Sequence, residues 1–129
     1  MTQSEIYKEI GERLIATLEE FTYIAESDVK IAYLSSEKEK KTAHKRVLGE
    51  CIKVEANYKW ICPYDFMIVI YEPNIAGFND YQIETLIRHE LHHIGIEYAD
   101  TGLRYYIVLH DIEEFWNIIN ECGLDWSDV

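Results

Sequence analysis

A His-Glu-x-x-His pattern occupies residues 89–93, with His89 and Glu90 followed, after two residues, by His93. On an α-helix, residues four apart lie on the same face, so both imidazoles could bind one metal ion. Glu90 lies about 100° further round the helix, within reach of a water on that ion. The pattern therefore predicts a zinc-hydrolase site, in which Glu90 acts as general base and takes a proton from the zinc-bound water as that water attacks a carbonyl.

The pattern lies in a segment whose apolar periodicity predicts a helix over residues 80–95, with Asn79 or the next residue as its N-cap. With His89 set at zero, His93 falls at roughly 40°, at the border of the apolar stripe expected to be buried. His92 falls on the polar face and is therefore left out of the predicted site. Gly95 is expected to end the helix.

The third protein ligand, which a catalytic zinc ion usually has, is not fixed by spacing alone. The metzincin pattern is excluded, because its Gly and His positions hold Ile96 and Ala99 here. Glu97 would lie near the pair only if the helix continued past Gly95. Five later residues remain as alternatives for the third ligand: Glu97, Asp100, His110, Glu113 and Glu114.

Three residues near His110 in sequence, Arg104, Tyr105 and Tyr106, could donate a hydrogen bond to an oxyanion in the site. A structural role is the simpler interpretation for each of them. No residue is therefore assigned to this task from the sequence.

The remaining periodicities predict an α+β fold with a small sheet packed on helices. An amphipathic helix is expected from residue 4 to about residue 21, and another from residue 111 to about residue 122. Residues 66–71 form the most apolar run and should be the best buried strand. Further strands are predicted at residues 29–34, 47–55, 58–61 and 103–109.

The composition favours one globular domain spanning residues 1–129, because the chain has 129 residues of which 48% are apolar. The longest apolar run is too short to cross a membrane, and the N-terminus does not resemble a secretory signal. The three cysteines, Cys51, Cys62 and Cys122, lack the spacing of a zinc ribbon. Reduced thiols in the cytoplasm are the expectation.

The charge distribution is uneven. A formal net charge of −12 argues against general binding of nucleic acid. Five of the twelve basic residues nevertheless lie in one loop: Lys38, Lys40, Lys41, Lys45 and Arg46. A local contact with nucleic acid or another anionic partner could form there, although a solvated loop is the simpler interpretation.

Three segments resemble the putative phage metallopeptidase family, which is itself similar to the SprT-like zinc proteases. They are residues 86–95 around the His-Glu-x-x-His pattern, His-Asp-Ile-Glu-Glu-Phe at 110–115, and Gly-Leu-Asp-Trp at 123–126. The resemblance covers most of the chain. It implies a minimal zincin-like fold, with a sheet of roughly three to five strands against an N-terminal helix, the active-site helix and a C-terminal helix.

The same resemblance implies that His110 is the third zinc ligand. This chain departs from the family in having His92 at a position that is usually aliphatic, and in a short connection between His93 and His110. The prediction is thus a zinc peptidase with His89, His93 and His110 as ligands, Glu90 as base and a peptide or protein as substrate.

Two other functions remain open from the sequence. One is a non-catalytic phage accessory protein that binds a host factor, which the acidic composition would suit. The other is a DNA-associated metalloprotein that uses the basic loop in the manner of the SprT-like proteins. In each case the expected location is the host cell cytoplasm, if the chain is phage-encoded.

Overall fold

The structure is a computed structural model that describes residues 1–42 and 45–109. Within these residues there are three α-helices and eight strands, so the α+β prediction is confirmed. The helices are α1 (Glu5–Thr17), α2 (Thr22–Ala25) and α3 (Asp80–Leu91). The strands are β1 (Thr2–Gln3), β2 (Ile31–Ser36), β3 (Lys41–Thr42), β4 (Lys45–Arg46), β5 (Gly49–Lys53), β6 (Phe66–Tyr71), β7 (Ile94–Ala99) and β8 (Gly102–Ile107).

Some predicted features lie outside the described residues. They are the helix at 111–122 and the ligand candidates His110, Glu113 and Glu114. The predicted strands at 29–34, 47–55 and 103–109 are confirmed, with ends shifted by no more than two residues.

Helix α1 begins where the Ser4 hydroxyl accepts a hydrogen bond from the backbone of the first turn. The prediction of one helix to about residue 21 is wrong at its end, because the chain leaves the helix at Leu18 (φ −97°, ψ 127°). A 3₁₀ turn (Glu19–Phe21) and α2 follow, and each inserts an apolar side chain, Phe21 or Ile24, into the core. Burial of these side chains overrides the continuous helical periodicity.

The main sheet has the order β1-β2-β6-β5. Its centre is β6, which pairs parallel to β2 and antiparallel to β5. Phe66, Ile68, Val69 and Ile70 of this strand are fully buried. The prediction that residues 66–71 form the best buried strand is therefore confirmed. Strand β5 forms an edge of this sheet.

The predicted strand at 58–61 is wrong. Residues Ala56–Tyr58 form a 3₁₀ turn, and the backbone N–H groups of Ile61 and Cys62 both donate to the carbonyl of Tyr58. Local turn bonds thus satisfy the backbone groups that a strand would have paired with a neighbour. Trp60 is left exposed on the surface.

The predicted end of the active-site helix is also wrong, since α3 ends at Leu91 and residues Ile94–Ala99 form β7. Strand β7 pairs antiparallel with β8, and Gly95 lies opposite Tyr106. The Tyr106 ring covers the glycine so closely that an added Cβ would lie 2.4 Å from it. Pairing with β8 therefore outweighs the helical periodicity of this segment.

The core lies where α1 and α3 pack against one face of the main sheet. Its buried members include Tyr7 and Leu14 of α1, and Leu86, Ile87 and Leu91 of α3. These contacts fix the end of α3 against the sheet. Among the described residues, no helix has both the length and the apolar character needed to cross a bilayer.

Candidate metal centre

Helix α3 is positioned by a capping box at its start. The Asn79 side chain accepts a hydrogen bond from Gln82 N at 2.8 Å, and the Gln82 side chain accepts one from Asn79 N at 2.9 Å. His89 and Glu90 lie in the last turn of this helix, and His93 follows its C-cap. His93 N donates to Glu90 O at 3.1 Å, so the chain keeps turning and returns His93 to the face of His89.

The two imidazoles of the pattern meet in the interior. The Nε2 atoms of His89 and His93 are 3.4 Å apart, and the rings are nearly perpendicular. Both side chains are buried, with 8% and 6% of their residue surface exposed. Two ring nitrogens at this distance require a proton or a cation between them, since two lone pairs would repel each other.

The backbone sets the orientation of His93. Its Nδ1 lies 2.6 Å from the carbonyl oxygen of Val108, and Val108 N donates to His93 O at 2.7 Å. A carbonyl can only accept, so the His93 proton belongs on Nδ1. In neutral His93 the lone pair therefore lies on Nε2 and points towards His89. This is the arrangement by which metal-binding histidines are usually oriented.

The Glu90 carboxylate lies beside the pair. It is buried (5% exposed), and its Oε1 is 4.0 Å from His93 Nε2. Its Oε2 reaches the surface of β5 at Gly49, where an added Cβ would lie 3.3 Å from that oxygen. A buried carboxylate next to two ring nitrogens can hold or transfer a proton there.

A cleft of about 410 Å³ opens over these groups. Strand β5 forms one wall, Val108 and Leu109 form the opposite wall, and His89 and Glu90 lie between them. Cys51 on β5 also faces the cleft. Burial first, and the nearby Glu90 carboxylate second, raise the pKa of the Cys51 thiol well above its ordinary value. In the metal-free site, Cys51 is therefore a neutral thiol.

The spacing of the two imidazole nitrogens fits two coordination positions of a tetrahedral zinc ion. Zinc–nitrogen bonds of roughly 2.0–2.1 Å at a tetrahedral angle place two ligand nitrogens about 3.4 Å apart. The measured Nε2–Nε2 distance is 3.4 Å. Within the described residues, however, no group of three or more His, Cys, Asp or Glu gathers in a way that could hold a metal ion.

Two candidates for the third ligand lie away from the pair. Glu97 is exposed on β7, where its Oε2 is 3.0 Å from Arg104 Nη1. Asp100 is exposed in the turn between β7 and β8. The condition that placed Glu97 near the site, continuation of the helix past Gly95, is not met.

The other residues considered from the sequence have neighbours outside the cleft. His92 Nε2 lies 3.4 Å from Glu20 Oε2, and its ring contacts Phe21. Tyr105 packs edge-on against Phe66, while Tyr106 covers Gly95. Neither tyrosine lines the cleft.

The contribution of β5 to the site was missed by the sequence reasoning. Gly49 gives the Glu90 carboxylate room against the strand, and Glu50 and Cys51 form the adjacent wall. One signal was present, since glycine inside a strand often marks the close approach of another group. The partner that approaches could not be named without the strand pairing.

A family model described as putative phage metallopeptidase matches residues 1–129. The family name suggests a peptidase that uses a metal. No curated protein and no solved structure matches the chain. Because the matching model extends over the entire sequence, the chain belongs to the putative phage metallopeptidase family.

Proposed function

We propose that the protein is a zinc-dependent peptidase with a minimal zincin-like fold. His89, His93 and His110 hold the ion, and Glu90 is the general base. The observation that carries the proposal is the buried imidazole pair, whose Nε2 atoms are 3.4 Å apart and whose orientation is set by Val108 O. His110 is preferred as third ligand because it follows Leu109, which already lines the cleft.

In this mechanism, Zn²⁺ when bound polarises the peptide carbonyl and makes the attacking water more acidic. Glu90 takes the proton of that water at Oε1, the oxygen nearer to His93. The other carboxylate oxygen lies against β5 at Gly49, where the lack of a side chain leaves room for it. The same Oε1 can then deliver the proton to the leaving amine. An extended substrate would lie in the cleft between β5 and the segment of Val108 and Leu109.

Metal analysis and peptide hydrolysis together test the proposal. The purified protein should contain about one zinc per chain, lost in His89→Ala, His93→Ala and His110→Ala. Glu90→Gln should retain the metal but lower kcat/KM on a quenched fluorogenic peptide mixture by about 10²–10⁴-fold. His92→Ala is the matched control, since its ring faces Glu20, and it should keep both zinc and activity.

Each negative result would contradict a different part of the proposal. No zinc under metal-replete conditions would contradict the metal site. Zinc retained by His110→Ala would leave the His89–His93 pair intact as a site but would exclude His110 as a ligand. Zinc without hydrolysis in any condition would contradict the peptidase function.

The second candidate function is a partner-binding phage protein that keeps the metal site as a scaffold. It is favoured by the turn after β5, where Tyr58, Trp60 and Ile61 are 57%, 83% and 64% exposed. Exposed aromatic side chains of this kind are enriched where proteins bind one another. If Glu90→Gln leaves every biological effect intact while Trp60→Ser abolishes it, this second function replaces the peptidase.

A further inference from the structure

One strongly basic surface element adjoins the cleft of this acidic protein. We give the name basic hairpin to residues 38–42 and 45–46, which contain β3 and β4. It carries Lys38, Lys40, Lys41, Lys45 and Arg46 against one acidic residue, Glu39, in a chain whose formal net charge is −12. Strand β5 begins three residues after the hairpin, so the hairpin lies at the N-terminal end of the cleft wall.

The base of the basic hairpin is fixed by a buried side chain. Asn74 is only 3% exposed, and its amide nitrogen donates to Lys40 O at 3.0 Å and to Val47 O at 2.8 Å. Val47 N also donates to Lys40 O at 2.9 Å. Both ends of the hairpin are therefore tied to the turn after β6, next to the strand that forms a wall of the cleft.

One of these cations, Lys40, is neutralised by a residue of the cleft wall. The Lys40 ammonium forms an ion pair with Glu50, and Tyr71 Oη donates to Glu50 Oε2 at 2.7 Å. Burial opposes ionisation of Glu50, but Lys40 and Tyr71 outweigh it and lower the pKa of Glu50. Glu50 is thus a carboxylate that neutralises Lys40. The contact also links the hairpin directly to a residue that lines the cleft.

In the described part of the chain, no other cation of the hairpin has a carboxylate of the cleft wall as its partner. Lys41 lies directly opposite Arg46 in the β3–β4 pairing, and like charges in that position repel. The nearest carboxylate to Lys41 is that of Glu39 at 3.5 Å, and both side chains are more than half exposed. Within residues 1–42 and 45–109, Lys45 and Arg46 have no carboxylate within ion-pair distance. A bound anion would relieve this repulsion.

We propose that the basic hairpin binds an acidic stretch of the peptide substrate and so determines which peptides enter the cleft, an inference that rests on the proposed peptidase function. Lys41, Lys45 and Arg46 are the specificity-determining cations. An acidic peptide segment is favoured over nucleic acid because the adjoining cleft is the proposed peptide site, and because the net charge of the rest of the chain repels a few carboxylates less than a long polyanion. Salt weakens contacts of this exposed kind.

Binding measured without turnover tests the inference. The probe is a short fluorescent peptide with a run of glutamates at its N-terminal or C-terminal end, compared with a twin that has glutamines there. Polarisation is measured on the zinc-loaded Glu90→Gln protein. The glutamate peptide should bind about tenfold tighter, and the difference should shrink as salt is raised.

Two matched double variants locate the effect. Lys45→Glu with Arg46→Glu should abolish the preference for glutamate, and the milder Lys45→Gln with Arg46→Gln should reduce it. Lys8→Glu with Lys30→Glu changes the net charge equally at two exposed sites away from the hairpin, and should keep the preference. Equal loss in both charge-reversal variants, or no preference in the parent, would overturn the inference.

Two further results separate the hairpin from the chemistry. If a single-stranded oligonucleotide binds through Lys45 and Arg46 more tightly than the glutamate peptide, the acidic-peptide assignment is wrong. If the glutamate preference is present but the parent enzyme cleaves neither peptide, the inference about binding stands while the peptidase function fails. Cleavage of both peptides at equal rates would support the peptidase function and contradict the inference that the basic hairpin selects the substrate.

Discussion

The imidazole of His93 is oriented by the backbone of Val108, through hydrogen bonds at 2.6 and 2.7 Å. Both hydrogen bonds use backbone atoms of residue 108, so this support persists for any residue there except proline, which lacks the N–H that donates to His93 O. The Glu90 carboxylate, in contrast, depends on the absence of a side chain at Gly49. In the proposed site, the position of Glu90 is thus more sensitive to mutation of its neighbour Gly49 than the orientation of His93 is to mutation of Val108.

Gly49→Ala is expected to lower peptidase activity while leaving the metal bound. Its new Cβ would lie 3.3 Å from Glu90 Oε2, 3.1 Å from Val69 O and 3.2 Å from Ile70 Cδ1. The closest of these atoms is a backbone carbonyl of the central strand, so the β5 backbone must shift at Gly49, and the Glu90 carboxylate must shift with it. A displaced base should reduce kcat/KM by about tenfold or more, with zinc content unchanged by metal analysis. Unchanged kcat/KM would show that Glu90 tolerates displacement.

At the scale of elements, α1 is held to the sheet by contact between Gly11 and Tyr33. A Cβ added at Gly11 would lie 2.3 Å from the Tyr33 ring. Helix propensity alone favours alanine by about 1 kcal/mol, but overpacking costs about 1–3 kcal/mol. Gly11→Ala should therefore destabilise the protein in urea unfolding. Ala16→Gly, at an exposed position of the same helix, measures the propensity effect alone.

A second contact between elements makes stability depend on pH. Arg88 of α3 binds Glu20 through Nε–Oε1 at 2.5 Å and Nη2–Oε2 at 2.9 Å. Burial opposes ionisation of Glu20, yet Arg88 and His92 outweigh it and place the pKa of Glu20 below its ordinary 4.5. A lowered pKa contributes stability above the unfolded-state pKa, and this contribution is lost as pH falls through the folded-state pKa.

Glu20→Gln should therefore be less stable than the parent protein at neutral pH, and the difference should shrink as the pH falls below 4.5. Urea unfolding across this range, in the presence of a chelator, measures the difference. Glu19→Gln, at an exposed neighbouring position, serves as control and should show a smaller dependence on pH. A constant difference across the range would contradict the assigned role of Glu20.

Hydrophobic periodicity predicted the elements that bury an apolar surface in the core. It failed where pairing with another strand determines the secondary structure. Residues 66–71 are apolar throughout, and α3 begins at the predicted capping box. The predicted helix continued to Gly95, but pairing with β8, in which Tyr106 covers Gly95, makes the chain a strand from Ile94 onwards. At 58–61 the composition suited a strand, but no neighbouring strand pairs with it in the described part of the fold.

The same distinction applies to the site. The residues of the His-Glu-x-x-His pattern share one helix end, so their proximity follows from local geometry. The Val108 carbonyl and the Gly49 surface come from distant segments, and their contribution depends on strand register, which the pattern does not encode. The third ligand among His110, Glu113 and Glu114 stays a prediction, since those positions lie outside the described residues.

At the scale of the whole molecule, a metal ion held by the folded state alone adds to its stability. Zinc at a hundred times its dissociation constant should raise the free energy of unfolding by about 2.7 kcal/mol. His93→Ala should lose this increment. His92→Ala should keep it, even if removal of the contact with Glu20 lowers the stability of the metal-free protein. Thermal unfolding with and without a chelator measures the increment, and its absence in the parent would contradict a site formed by folding.

The pair of hydrogen bonds between His93 and Val108 has a consequence for how this chain can change in length. Consecutive strand residues alternate in direction, so deleting one residue from β8 would turn the Val108 carbonyl away from the imidazole. Insertions in the turn around Asp100, which is exposed, would leave the carbonyl in place. The β7–β8 hairpin therefore sets the position of the Val108 carbonyl, and insertions that preserve the orientation of His93 are expected only in its turn.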